Sequence, residues 1–92
     1  MTVKIRFFAR FRELLGNDII IDVDKGKMFI SLITTIAQKN PEGYAAIFDE
    51  NGAFREFVIL MKNGKRIDIA DAALTPVEDG DEIAVFPPVA GG

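Results

Sequence analysis

Apolar residues at positions 29, 30, 32, 33, 36 and 37 follow the spacing of one face of an α-helix, and on either side of them the chain alternates with the period of a β-strand. This arrangement constrains the fold more than any other feature. One amphipathic helix has one apolar stripe to hide, and the strands around it supply a sheet face to hide it against. The 92 residues hold one such core and leave no room for a second.

Before the helix, Val3, Ile5, Phe7 and Ala9 fall on one side of an alternating run and Lys4, Arg6, Phe8 and Arg10 on the other, which predicts a half-buried first strand. Phe11 to Leu15 reads as a short turn ended by Gly16 and Asn17, and Ile19, Ile21 and Val23 predict a second strand antiparallel to the first. After the helix, Pro41 is expected to end it within a residue or two. Glu42 to Phe48 reads as a further short turn, and Asn51-Gly52 marks a loop. Asn63-Gly64 supplies the paired positive φ angles of a type I′ hairpin between strands at Val58 to Lys62 and Lys65 to Ile69. Leu74 falls in a loop, and the last strand runs from Glu82 to Phe86.

That order predicts an α+β fold of the β-grasp plan, a mixed sheet of four to five strands with one main helix packed on one face. A right-handed crossover leaves the first strand central with the last strand parallel beside it. Residues 1–86 form the β-grasp domain, and residues 87–92, Pro-Pro-Val-Ala-Gly-Gly, form an extended tail that leaves from the middle of the sheet.

Several kinds of chemistry are set aside by composition. Without cysteine or histidine the chain has no disulfide, no thiolate metal site and neither the commonest catalytic base nor the commonest zinc ligand. The carboxylates at Asp22 and Asp24, and at Asp79, Asp81 and Glu82, fit no calcium loop, so no metal is expected. Gly26-Lys27 and Gly64-Lys65 lack the rest of a phosphate-binding loop, so the chain is not expected to hold ATP itself. A net charge of −3 repels a nucleic-acid backbone. The basic stripe of Lys4, Arg6, Arg10 and Arg12 points instead to an acidic protein surface. No leader and no apolar run of membrane-spanning length is apparent, so no membrane partner and a cytoplasmic setting are expected.

The remaining chemistry lies in the tail. Gly92 offers an α-carboxylate, ionised at neutral pH and inert until another protein activates it, most simply as an acyl-adenylate. Gly91 and Gly92 lack a Cβ and can thread a narrow channel, while Pro87 and Pro88 hold the segment straight. With Val89 and Ala90 the six residues reach about 20 Å. At the root of the tail, alternation puts Phe8, Phe86, Ile59 and Met61 on the side away from the core, a candidate binding patch. In the competing reading the segment from Glu42 to Phe57 covers Phe8 or Phe86. The other phenylalanines are assigned to packing.

The opening "FFARFRELLG" and the closing "DGDEIAVFPPVAGG" together resemble the small, sulfur-carrying subunit of molybdopterin synthase, a family of ubiquitin-like sulfur carriers. The resemblance implies that Gly92 is adenylated by a ubiquitin-activating-type enzyme using Mg-ATP and converted to a thiocarboxylate. It implies that the synthase's large subunit then uses that sulfur to build the dithiolene of molybdopterin. The chain would carry no independent catalytic site and bind no cofactor, and Arg12 would join the patch in gripping partners. Carriers for thiazole synthesis and archaeal modifiers that attach to lysines share the fold and the diglycine. The chain departs from the pattern at Arg66 and between Glu42 and Glu56, where it is longer than the compact members.

Overall fold

Val3, Ile5 and Phe7 are wholly buried while Lys4 and Arg6 between them are not, so β1 (Thr2–Phe7) is the half-buried strand its alternation predicts. This computed structural model describes residues 1–88; Val89, Ala90, Gly91 and Gly92 of the predicted tail lie outside the described residues. The elements that follow are α1 (Ala9–Leu15), β2 (Asp18–Asp22), α2 (Phe29–Ala37), α3 (Pro41–Ile47), β3 (Ile59–Lys62), β4 (Lys65–Ile67), α4 (Ile69–Ala72) and β5 (Glu82–Phe86).

The five strands form one mixed sheet in the order β2-β1-β5-β3-β4. β2 returns antiparallel to β1 with Val3 opposite Ile21. β5 lies parallel to β1, Ile5 beside Ile83 and Phe7 beside Val85, and antiparallel to β3, with Leu60 opposite Val85. The architecture is the α+β β-grasp, and the last strand lies parallel beside the first as expected. β5 takes the middle of the sheet, however, and β1, expected at the centre, lies one place from it because β3 and β4 both add on the β5 side. On the inner face those side chains share one core cluster with Phe29, Leu32, Ile33 and Ile36 of α2. Burying each stabilises by about 1.5–3 kcal/mol. Burial rather than capping holds α2, because Met28 at its N-cap offers no side-chain hydrogen bond.

Three further expectations are corrected. The first strand stops at Phe7, and Ala9, placed on its inner side by alternation, is instead exposed with φ 52° at the start of α1. From there Phe11 is buried and Leu15 packs on the core edge, a helical spacing that overrides the continued alternation. Pro41 does not end α2, which stops at Ala37; it opens α3, where its fixed φ suits the first helical position. Asn40 joins the pieces: its Oδ1 accepts from the N–H groups of Glu42 and Gly43, while its Nδ2 donates to the Leu14 carbonyl at 2.7 Å. Beside that cap α1 and α3 nearly touch, since a Cβ on Gly43 would fall 2.6 Å from Leu15 Cδ2. Finally, β4 ends at Ile67, and Ile69, expected on that strand, begins the one-turn α4 that buries Ala72.

Asp81 fastens the β3–β4 hairpin to β5. Its carboxylate accepts from Asn63 Nδ2 at 2.8 Å and from the Glu78 N–H at 2.7 Å, with Lys62 Nζ 3.6 Å away. Asn63 also exchanges hydrogen bonds with the Glu82 backbone, so the turn dipeptide serves as a clamp as well. Burial pushes the Asp81 carboxyl up, but those donors and the Lys62 charge outweigh it and hold it below the usual carboxylate range. A carboxyl depressed on folding stabilises above its unfolded value, near 3.9, and the stability is lost as pH falls through the folded value. Asp81→Ala is therefore expected to cost about 2 kcal/mol at pH 7, leaving two donors without their acceptor. Urea midpoints of the wild type and Asp81→Asn should differ above about pH 4 and converge as pH falls toward 2; a gap that ignores pH would contradict this account.

Candidate functional site

The face of the sheet turned away from α2 gathers most of the predicted patch. Phe8 follows the last residue of β1 and Phe86 closes β5, and the parallel register of those strands brings the two rings together, stacked at 4.1 Å between centroids and 10° between planes. The Phe8 N–H donates to the Val85 carbonyl at 3.2 Å, which fixes where its ring starts. Ile59 pairs with Phe86 and Met61 with Ala84 across β3 and β5. All four candidate side chains are half-buried, each covered in part by its neighbours. Phe8 and Phe86 are thus neither the open rings that alternation suggests nor members of the core.

Ala84 is the low point of this face. It floors a shallow groove of 240 Å³ walled by Lys4, Arg6, Phe8 and Met61. Pro87 is half-buried and Pro88 exposed where the chain leaves the sheet. Val89, Ala90, Gly91 and Gly92, the predicted reactive segment, lie outside the described residues.

The basic stripe is largely spent on internal pairs. Arg6 Nε donates to Asp18 at 2.8 Å, and this bond holds the Asp18 carboxyl below its usual range. Arg10 reaches Glu13 and Glu42, and Lys4 lies 3.9 Å from Glu82. Arg12, one turn along α1 from Phe8, is exposed and makes no ion pair among the described residues. Among the described residues the stripe therefore presents one uncommitted cation, Arg12, instead of four.

Phe57, assigned to packing by its sequence, is 68% exposed. It lies in a groove with Ile59, Arg66 and Pro88. The signal was present: Phe57, Ile59 and Met61 share one parity, and Val58 and Leu60, both buried, share the other. A strand reading begun one residue earlier puts Phe57 outside. Phe7, Phe11, Phe29, Phe48 and Phe54 do pack in the core. The described face offers apolar area, an aromatic stack and cations, and no buried side-chain nitrogen or oxygen among the described residues lacks a partner. Such a surface is suited to docking.

A β-grasp domain with a half-buried aromatic face at the root of a Gly-Gly tail defines a small carrier protein of the ubiquitin-like class. The chain belongs to the ThiS family, whose model matches residues 5–92. It is 36% identical to small archaeal modifier protein 3 of Haloferax volcanii, each sequence covered in full. It is 30% identical to the molybdopterin synthase sulfur carrier subunit of Escherichia coli, with 98% of this chain and 99% of that protein covered. Among solved structures, a complex of subunits 1 and 2 of the molybdopterin-converting factor from Helicobacter pylori contains a chain that aligns over its full length and this chain's, at a TM-score of 0.60 and 28% identity. No helix among the described residues is long and apolar enough to cross a membrane.

Proposed function

We propose that this sulfur carrier serves molybdopterin synthesis. In this reading the Gly92 carboxylate attacks the α-phosphorus of ATP on a separate activating enzyme, giving an acyl-adenylate and pyrophosphate. A donor at the sulfide level then displaces AMP to leave a thiocarboxylate. The large subunit of molybdopterin synthase draws the tail into its own site, where the sulfur passes to the pterin precursor and an oxygen returns to Gly92. Mg-ATP belongs to the activating enzyme, and the setting is the cytoplasm, where both partners work.

The observation that carries the reading is the position of the tail's root: Pro87 follows directly from the central strand, beside the stacked Phe8 and Phe86. A partner that grips the aromatic face therefore holds the point from which the tail departs, which is where positioning of a reacting terminus begins. The name of the Escherichia coli relative and the two-subunit Helicobacter pylori complex support the choice of pathway. The 36% identity to an archaeal modifier favours a second reading, in which the same activated terminus is passed to lysines.

Mixing the thiocarboxylated chain with a molybdopterin synthase large subunit from the same genome tests the choice, and conversion of the pterin precursor is expected. No conversion, together with Gly-Gly remnants on cellular lysines, would decide for the modifier. Both outcomes together would mean one terminus with two acceptors, and the claim of a dedicated carrier would fall.

A further inference from the structure

Phe57 is the one exposed phenylalanine, and it belongs neither to the core nor to the Phe8–Phe86 stack. Holding its ring in water forgoes about 1.5–3 kcal/mol of burial. Nothing in the packing requires that position, because the segment is already tied down by Arg55, whose Nε donates to the Ala45 carbonyl at 2.6 Å, and by buried Val58. The other prominent exposed apolar side chains have different surroundings. Ile20 stands between Asp18 and Asp22 on the edge strand β2, where flanking charges discourage pairing with another sheet. Leu74 stands in the loop after α4 and lines neither of the grooves described above.

Phe57 instead continues the docking face. Its groove includes Ile59 and Pro88, Ile59 pairs with Phe86, and Phe86 stacks on Phe8, so Phe57 is linked to the aromatic pair through neighbouring apolar residues. Arg66, opposite Met61 on β4, forms the polar wall of the groove. It is exposed and has no ion pair among the described residues, although Glu56 lines the same groove. A guanidinium held this way can accept a carboxylate through two parallel hydrogen bonds. Glu56 repels a second acid on its own side, so the carboxylate has one preferred end of the groove.

We propose that Phe57, Ile59, Pro88 and Arg66 form a second docking arm, which takes an apolar side chain flanked by a carboxylate on the large subunit that receives the tail. The inference rests on the function proposed above and deepens it. Pro88 is itself part of the groove, so a protein holding the residues beyond Pro88 meets Phe57 without further reach. The arm also gives a role to Arg66, one of the points at which the sequence departs from the carrier pattern.

The test compares Phe57→Ser, Arg66→Glu and Glu56→Gln with the wild type, measuring melting temperature and affinity for the large subunit from the same genome. All three positions are exposed, so melting should be unchanged. Phe57→Ser is expected to weaken binding about 30-fold and Arg66→Glu about 10-fold. The Arg66 effect should shrink as salt rises, and Glu56→Gln should leave binding equal or tighter. Wild-type affinity in Phe57→Ser overturns the arm alone, as does tighter binding by Arg66→Glu, which would mean a basic partner. If Phe57→Ser fails only in loading by the activating enzyme, the occupant is wrong and the proposal falls. A wild-type chain that does not bind the large subunit overturns the proposed function and this inference together.

Discussion

A variant lengthened by one residue after Gly92 is expected to take up no sulfur and to melt at the temperature of its parent. The two halves of that result have separate causes. Among the described residues the core cluster reaches no further along the chain than Val85, so the fold is expected to be insensitive to the length of the tail. Uptake depends on one atom group, the α-carboxylate carried by Gly92. Extending the chain turns that carboxylate into a peptide carbonyl and presents a new terminus displaced by about 3.5 Å from where an activating site would meet the old one. Reactions of this kind lose orders of magnitude when the reacting atoms are misplaced by an ångström. Deleting Gly92 should fail for the same reason. Each variant is incubated with the activating enzyme, Mg-ATP and a sulfur donor, and intact mass reports whether sulfur has replaced oxygen. An extended chain that gains sulfur without first being trimmed would remove Gly92 from the mechanism.

Much of the fold could be read from periodicity because its centre is built from strict patterns. Val3, Ile5 and Phe7, then Ile83 and Val85, alternate against polar neighbours, and α2 shows its apolar stripe at every turn. Those patterns also implied that the first and last strands lie parallel side by side, since a single crossover between parallel strands leaves few ways to connect them, but not which of the two stands at the centre. The missed features are those where local chemistry has two solutions. Proline both ends helices and begins them, and the choice at Pro41 is made by Asn40, whose side chain caps α3 while holding the end of α1. That bond to Leu14 spans 26 residues, and no local pattern reports it. The patch was legible by parity, and Phe57 too once the strand is begun one residue earlier, but its degree of burial was not. Whether an outward ring is open or half-covered depends on which ring stands beside it, and the Phe8–Phe86 stack follows from a strand register that the sequence does not state.

The stack makes Phe86 the residue whose loss should hurt binding most, at a small cost in folding. Phe86→Asp is expected to remain folded, because its ring is half-buried on the outer face and the core side chains of β5 are Ile83 and Val85. Loss of an aromatic pair of this geometry costs about 0.5–1.5 kcal/mol of stability, a fraction of what a domain of this size possesses. In binding the balance reverses. Phe86 stands between Phe8 and Ile59 and next to Pro87, so a partner that covers the tail's root must desolvate it, and a carboxylate there stays buried without a counter-charge. A loss of more than 2 kcal/mol, about 30-fold or greater in affinity, is expected with the large subunit. Phe8→Asp should lose less, since its ring lies beyond the strand pair that leads to the tail. Calorimetry against the large subunit and thermal unfolding of the free chain separate the two effects. If Phe86→Asp unfolds the domain, the ring belongs to the core. If Phe8→Ala and Phe86→Ala weaken binding by independent amounts in a double-mutant cycle, the partner reads two separate rings, and the stack is an accident of register rather than the unit that is recognised.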